Sequence, residues 1–372
     1  MNFLFACGGT AGHINPAIAI AKELSREIPD AKALFVGAGN KMEKELVPQA
    51  GYELVNIRMS GLKRGFSPSD LIYNVKTARN LAFAGRKSAK IISEFAPDAV
   101  IGTGGYICYP VLKKAAHMGI PTIVHESNAV PGLTTKLLST IADKVLVSFP
   151  GLENTYRRPE RVVFSGTPVR DGFCLRPAGD ATVGPGAKPL LLSFWGSLGA
   201  SRMNETITDF IKINIERGEF HHIHAAGRLC DASEMKDRLN RAGVQGELPP
   251  GIKIRDYIDD MHSIMAKADL ILCRAGGSTV AELTAMGKPA VLIPSPYVSN
   301  NEQIKNAQQL EMAGGAVLLE EKDCTGQALF EAVSGILSDK DRLMRMSASQ
   351  KALGKPRAAE EIAKLVLSLV GN

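Results

Sequence analysis

Twice in this chain a short apolar run opens into a glycine loop that leads into an amphipathic stretch. Residues 3–7 run into Gly8-Gly9-Thr10-Ala11-Gly12-His13, and residues 190–194 run into Trp195-Gly196-Ser197-Leu198-Gly199-Ala200. Apolar runs this short suit strands buried on both faces and are too short for core helices. Such strands belong to parallel sheets covered by helices, so the repeat predicts two α/β domains. The alternation continues through the first half, with strands expected at residues 33–36, 53–57, 99–102, 122–125, 144–147 and 162–164, and helices at 15–28, 41–50 and 69–95. In the second half a helix to about residue 216 precedes strands at 222–225, 253–255, 270–273, 290–293 and 316–319, and the last fifty residues read as helical. Residues 172–189 are rich in glycine and proline without periodicity and read as a linker. The expected domains are therefore 1–171 and 190–372, with the last helix free to return to the first domain.

Composition narrows the classes. Apolar residues make up 45% and charged residues 22% of 372, a globular balance that fits about two domains. A net charge of +6 spread along the chain is too mild for a nucleic-acid binder and suits an anionic substrate or an acidic membrane surface. Six cysteines without a C-x-x-C pair read as small buried hydrophobes in a reducing compartment. No apolar stretch is long enough for a secretion signal or a membrane span, so a cytoplasmic protein touching membranes only at their surface is expected.

The stretch from residue 269 to 287 carries the clearest chemistry. An apolar run ends in Arg274-Ala275-Gly276-Gly277, and Ser278 reads as the cap of a helix holding Glu282. Glycines admit a close ligand, a helix N-terminus attracts a diphosphate, and a carboxylate one turn on is placed to chelate a ribose diol. The plain alternative is a capped helix with an acidic first turn. Dinucleotide binding is disfavoured, because glycines at 8, 9 and 12 miss the G-x-G-x-x-G spacing and the strand at 33–36 ends without an acid. No Gly-Lys-Ser or Gly-Lys-Thr follows at P-loop spacing. His221, His222 and His224 lack acidic or cysteine partners at ligand spacing, and Asp259-Asp260 reads as a helix N-terminal pair, so no metal and no other cofactor is expected.

Seven motifs in order carry a resemblance: Gly-Gly-Thr-Ala-Gly-His-Ile-Asn-Pro-Ala (8–17), Gly-Thr-Gly-Gly-Tyr (102–106), His-Glu-Ser-Asn (125–128), Gly-Thr-Pro-Val-Arg (166–170), Gly-Ser-Leu-Gly-Ala (196–200), Arg-Ala-Gly-Gly-Ser-Thr (274–279) and Asn-Asn-Glu-Gln-Ile-Lys-Asn-Ala (300–307). Together they cover nearly the whole chain. The set resembles the MurG family, bacterial transferases that add N-acetylglucosamine to undecaprenyl-diphosphate-linked muramyl pentapeptide. The resemblance implies a GT-B fold, two Rossmann-like domains with parallel sheets facing across a cleft. It implies donor contacts to UDP-N-acetylglucosamine from Thr10, Ala11, Gly12, Asn128, Arg170, Ser197, Ile258, Gly277, Ser278, Thr279, Glu282 and Gln303, and acceptor-diphosphate contacts from Gly9, Gly104, Gly105 and Tyr106. Ala11, Ser127, Trp195 and Glu302 depart from the usual family pattern.

Within that frame His13, at the end of a glycine loop, is a candidate base for an inverting displacement, and Glu126 is its rival. Arg170 offers a fixed fork to phosphate, and helix N-termini meet the leaving-group charge. A UDP-N-acetylglucosamine 2-epimerase shares the two-domain architecture and stands as the alternative enzyme, with a non-catalytic sugar-nucleotide sensor as the alternative class. On the helix expected at 69–95, Lys76, Arg79, Arg86, Lys87 and Lys90 fall within an arc of about 100° that also carries Ile72 and Phe83. That arc predicts docking on the anionic inner leaflet, at the cytoplasmic face of the cell membrane.

Overall fold

The computed structural model describes residues 1–57, 59, 68–174, 188–230 and 232–371, without the side chains of 68–79, 82 and 299. The chain divides into two units, Met1–Asp171 with Lys355–Asn372, and Gly172–Gly354. In the first, the strands are β1 (Asn2–Cys7), β2 (Lys32–Gly37), β3 (Glu53–Asn56), β4 (Ala99–Gly104), β5 (Thr122–Glu126), β6 (Lys144–Val147) and β7 (Val162–Phe164). They pair in the order β3-β2-β1-β4-β5-β6-β7, all parallel. Helices α1 (Ala11–Glu27), α2 (Lys41–Gln49), α3 (Pro68–Phe95), α4 (Cys108–His117) and α5 (Leu133–Leu138) lie between them, and the short α6 (Asp171–Cys174), at the boundary of the two units, follows β7 in sequence.

The second unit repeats the plan. Its strands are β8 (Leu190–Phe194), β9 (His221–Ala225), β10 (Ile252–Arg255), β11 (Leu270–Cys273), β12 (Ala290–Leu292) and β13 (Ala316–Leu318), in the parallel order β10-β9-β8-β11-β12-β13. Its helices are α7 (Ser201–Arg217), α8 (Ala232–Arg241), α9 (Met261–Lys267), α10 (Gly277–Met286), α11 (Glu302–Met312), α12 (Gly326–Leu337) and α13 (Lys340–Leu353). The last helix, α14 (Ala358–Val370), packs on α1 in the first unit. Strand order turns between β1 and β4 in one sheet and between β8 and β11 in the other. At such a point successive crossovers leave to opposite sides and open a crevice at the carboxyl ends of the strands.

Each unit has its own core. In the first, Phe5 stacks on Phe35 with ring centroids 5.0 Å apart, and Ile362, Ala363 and Val366 of α14 join the same cluster. In the second, Phe210, Phe220 and Phe330 pack together beneath Leu191 and Leu272. Trp195 is buried in this cluster, so this one of the four residues that depart from the family pattern fills core volume.

Several expectations need correction. Helix α1 begins at Ala11 with Thr10 as its extended N-cap, so Gly12 and His13 belong to the first turn and Pro16 lies inside the helix. The cap of α10 is Gly276, and Ser278 sits within the helix. Cys7, Cys108, Cys230 and Cys273 are buried as expected, but Cys174 is exposed and Cys324 half-buried. Within the expected linker, residues 172–174 are helical, and 175–187 lie outside the described residues, as does the loop at 60–63.

His222 and His224 are fully buried, and both hydrogen-bond the hydroxyl of Ser193 at 2.7 Å. Burial pulls His222 well below the ordinary imidazole range and His224 down to about 3, while His125 in the first unit is pulled down to about 4. Below the ordinary value of 6.5 the unfolded chain binds protons that the folded one refuses. The stability these imidazoles contribute is therefore intact above that pH and is lost as acidity approaches the folded values. We expect the unfolding free energy to fall once pH drops below the ordinary value, by roughly 1 kcal/mol per pH unit for each imidazole, and the urea midpoint to fall with it. A midpoint level down to about pH 5 would contradict neutral burial.

Candidate functional site

In the first unit the loops after β1 and β4 meet at the turn in strand order. Gly8 N donates to Gly104 O at 3.2 Å, and Gly105, at φ +90°, packs so closely on the Gly8 backbone that a methyl group there would overlap its carbonyl oxygen. His13 is fixed from three sides. Its Nδ1 lies 2.8 Å from Gly8 O, its own carbonyl accepts from Thr103 Oγ1 at 2.6 Å, and its ring lies where a Gly104 Cβ would be. A carbonyl only accepts, so Nδ1 carries a proton, and in the neutral tautomer this selects, the lone pair is on Nε2. Thr10, Ala11 and Gly12 lie at the cap and first turn of α1 beside it, and Tyr106 follows Gly105 ahead of α4. Gly9 N donates to Glu43 Oε1 at 2.9 Å, which commits that N–H inside the protein.

Glu126 ends β5 and is buried. Its Oε1 accepts from Asn128 N at 3.1 Å and Asn128 Nδ2 at 3.2 Å, and its Oε2 from Gly132 N at 3.0 Å. The carboxylate thus ties the 128–132 loop to the sheet, with one N–H of the Asn128 amide on the same contact. Arg170 is exposed just before α6.

In the second unit the loops after β8 and β11 leave neighbouring strands at the matching turn, and the loop after β8 is tied to the one after β9 by Arg228 N on Ser197 O at 3.1 Å. Ser197 is exposed in the first, between Gly196 at φ +87° and Gly199 at φ +83°; a Cβ on Gly199 would overlap Ala226 O. The second opens α10, with Gly277, Ser278 and Thr279 half-buried at its start and open space above Gly276. Glu282 lies further along α10, and burial first and then its charge push the Cys273 thiol up. Ile258 is buried after β10, and Gln303 at the start of α11 accepts from Ser295 N at 2.8 Å.

Two supports beneath this corner escaped the sequence reading. Arg274, 8% exposed, donates to Ile293 O at 3.0 Å and lies 2.6 Å from Glu321 Oε2, while Asn306 Nδ2 donates to Ala275 O at 3.0 Å. Arg274 and Asn306 stood within the quoted motifs, so their position was visible; that they face inward was not. Glu321 had no signal. Among the described residues no three His, Cys, Asp or Glu side chains gather as a metal site.

The expected membrane arc is only partly exposed. α3 is one helix of 28 residues on which Phe83 is 65% exposed and Arg86 and Lys90 are exposed, with Lys90 paired to Glu94. Lys87 is a correction: its Nζ donates to Asn56 O at 2.8 Å, because it flanks the buried face carrying Ala84, Ser88 and Ile91. Ile72, Lys76 and Arg79 have side chains outside the described residues. Beside the arc, a groove of about 540 Å³ between α3 and α4 is lined by Leu81, Arg86, Tyr109, Lys113, Lys114 and His117 among others, with no acidic residue. The basic residues of α4 were missed because no helix was expected between residues 106 and 122. Among the described residues no helix is long and apolar enough to cross a membrane.

The model of the glycosyltransferase family 28 N-terminal domain matches residues 3–147, and that of the glycosyltransferase family 28 C-terminal domain matches residues 190–362. With two parallel sheets of this order, the chain is a glycosyltransferase of the GT-B fold. The UDP-N-acetylglucosamine--N-acetylmuramyl-(pentapeptide) pyrophosphoryl-undecaprenol N-acetylglucosamine transferase of Acetivibrio thermocellus is 40% identical over 376 residues, covering 100% of this chain and 99% of that protein. A Bacillus cereus protein of the same name, numbered 1, is 39% identical and covers 100% of both chains. The crystal structure of Acinetobacter baumannii MurG matches with a TM-score of 0.78 at 25% identity over 99% of each chain. A UDP-GlcNAc 2-epimerase from Neisseria meningitidis, bound to UDP-GlcNAc, shares the fold alone, at TM-score 0.64 and 12% identity over 99% of this chain and 100% of that one. The chain belongs to the MurG family.

Proposed function

We propose that this enzyme moves N-acetylglucosamine from UDP-N-acetylglucosamine to the sugar hydroxyl of undecaprenyl-diphosphate-linked N-acetylmuramyl pentapeptide, the step of peptidoglycan synthesis that turns lipid I into lipid II. The observation that carries the reading is the pinned His13, whose Nδ1–H is held by Gly8 O at the turn in strand order. Its Nε2 takes the acceptor's proton as that oxygen displaces UDP from the anomeric carbon with inversion. Glu126, with both oxygens on N–H donors, orients its loop and leaves the proton to His13. Gly104, Gly105 and Tyr106 hold the acceptor diphosphate; the N–H of Gly9 is already taken. Gly277, Ser278 and Thr279 at the start of α10, with Ser197, meet the charge that builds on UDP. Glu282 accepts from the ribose hydroxyls. Ile258 and Gln303, and by motif Thr10, Ala11, Gly12, Asn128 and Arg170, complete the donor contacts.

The same reading places the enzyme as a peripheral protein on the cytoplasmic face of the cell membrane. Phe83 and the basic α3–α4 groove form its docking face, since apolar and cationic side chains together suit an anionic lipid surface.

Transfer to a short-chain lipid-linked muramyl acceptor tests the reaction, and free donor should stay unchanged when acceptor is left out. Epimerised free donor would overturn it. His13→Ala protein that still binds UDP should lose roughly 10²–10⁴-fold in kcat; near-full turnover removes His13 as base. Glu282→Ala should raise donor KM by an amount equal to roughly 1.5–3 kcal/mol with kcat little changed, and an unaltered KM would free Glu282 from the ribose. Reversing Arg86, Lys113 and Lys114 to glutamate should weaken binding to anionic vesicles by roughly 1 kcal/mol per position while sparing transfer to the soluble acceptor. Equal loss in both assays would move the docking face elsewhere.

A further inference from the structure

Glu43 is fully buried on α2, and among the described residues it makes no ion pair. Four N–H donors surround its carboxylate: Gly9 N at 2.9 Å and Asn40 Nδ2 at 2.9 Å on Oε1, Gly39 N at 2.8 Å and Asn40 N at 3.2 Å on Oε2. Donors on every side require a group that only accepts, which is the ionised form. A methyl group at Gly8 or Gly37 would run into its oxygens, so both glycines make room for it. The Asn40 N–H contact is that of a helix capping box, and Gly39 N and Asn40 Nδ2 add to it from the same turn. The contact to Gly9 is not of this kind, for it joins α2 to a loop on another strand.

The Gly9 N–H and the Gly8 carbonyl are the two ends of one amide. Glu43 accepts from one end, and the other end accepts from His13 Nδ1. We infer that Glu43 is a positioning residue that acts on His13 through the Gly8–Gly9 amide, as the carboxylate of a catalytic triad acts directly on its imidazole. An anion on the N–H draws the amide toward its charge-separated form and makes the carbonyl oxygen a stronger acceptor. The strengthened acceptor fixes the tautomer of His13 and stabilises the imidazolium formed when Nε2 takes the acceptor's proton. The inference rests on the reading of His13 as base.

The other titratable groups facing this pair are Cys7 on β1, Cys108 on α4, and His125 and Glu126 on β5. Burial pushes Cys7 up and Cys108 up to about 12 and pulls His125 down to about 4, so none of the three changes charge across the neutral range. Glu126 keeps its own three donors.

Glu43→Gln keeps size and one acceptor and removes the charge. The expected result is a kcat lower by roughly 10- to 100-fold with donor KM nearly unchanged, and an acidic limb of the kcat profile displaced to lower pH. The His13 Nδ1 proton resonance should move upfield in the resting protein, a readout that needs no turnover. Glu43→Asp, which retains the charge, should hold the limb near its original place. In a His13→Ala background Glu43→Gln should cost nothing further. A limb and a resonance that stay put, or an equal loss in the His13→Ala background, would reduce Glu43 to a loop brace. If Glu43→Gln does not fold, the wild-type resonance still decides: without a strongly downfield Nδ1 proton there is no relay. Full activity of His13→Ala would instead remove the base assignment, leaving the resonance shift to report on the coupling alone.

Discussion

A pair of parallel strands cannot be joined by a tight turn. Every connection must cross back over a face of the sheet, which here is done by helices in both units. All strands then point one way, and every loop that leaves a strand for a helix gathers along one edge. The glycine loops owe their position to that geometry. Because β1 and β8 sit inside their sheets with crossovers leaving to either side, the loops after β1 and β4, and after β8 and β11, are left uncovered where order turns.

Uncovered loops must be held from below, and this chain does so with buried polar side chains rather than apolar packing. Glu43 gathers the loops after β1 and β2, Glu126 the loop after β5, and Arg274 with Glu321 and Asn306 the loop after β11. Each satisfies backbone groups that burial would otherwise leave unpaired, a cost of about 1–3 kcal/mol apiece. The same contacts fix where the remaining N–H groups point. Loop order before a ligand arrives lowers the entropy cost of binding it.

Most of the architecture was legible because it rests on periodicity. Thirteen short apolar runs bounded by turn residues give the strands, and their spacing excludes hairpins. Helix starts were less legible. Gly12 read as part of the loop and the helix was expected only from residue 15, yet the first turn of a helix has no N–H bonds to lose and tolerates glycine there, so α1 opens at Ala11. The site was legible as a set of loops but not as a set of contacts. Glu43 looked like one more acid on an amphipathic helix, since nothing in the spacing of residues 9 and 43 says that they meet. Lys87 shared an arc with exposed cations, and only the width of the buried face on α3 decides that it turns inward.

The return of α14 to the first unit reaches beyond packing. Ile362 and Val366 are buried among residues that precede them by more than two hundred positions, and each contributes about 1.5–3 kcal/mol to that core. During synthesis the ribosome delivers them only after the whole second unit has emerged. The first unit therefore waits, with an apolar strip along α1 uncovered, until α14 arrives to close it.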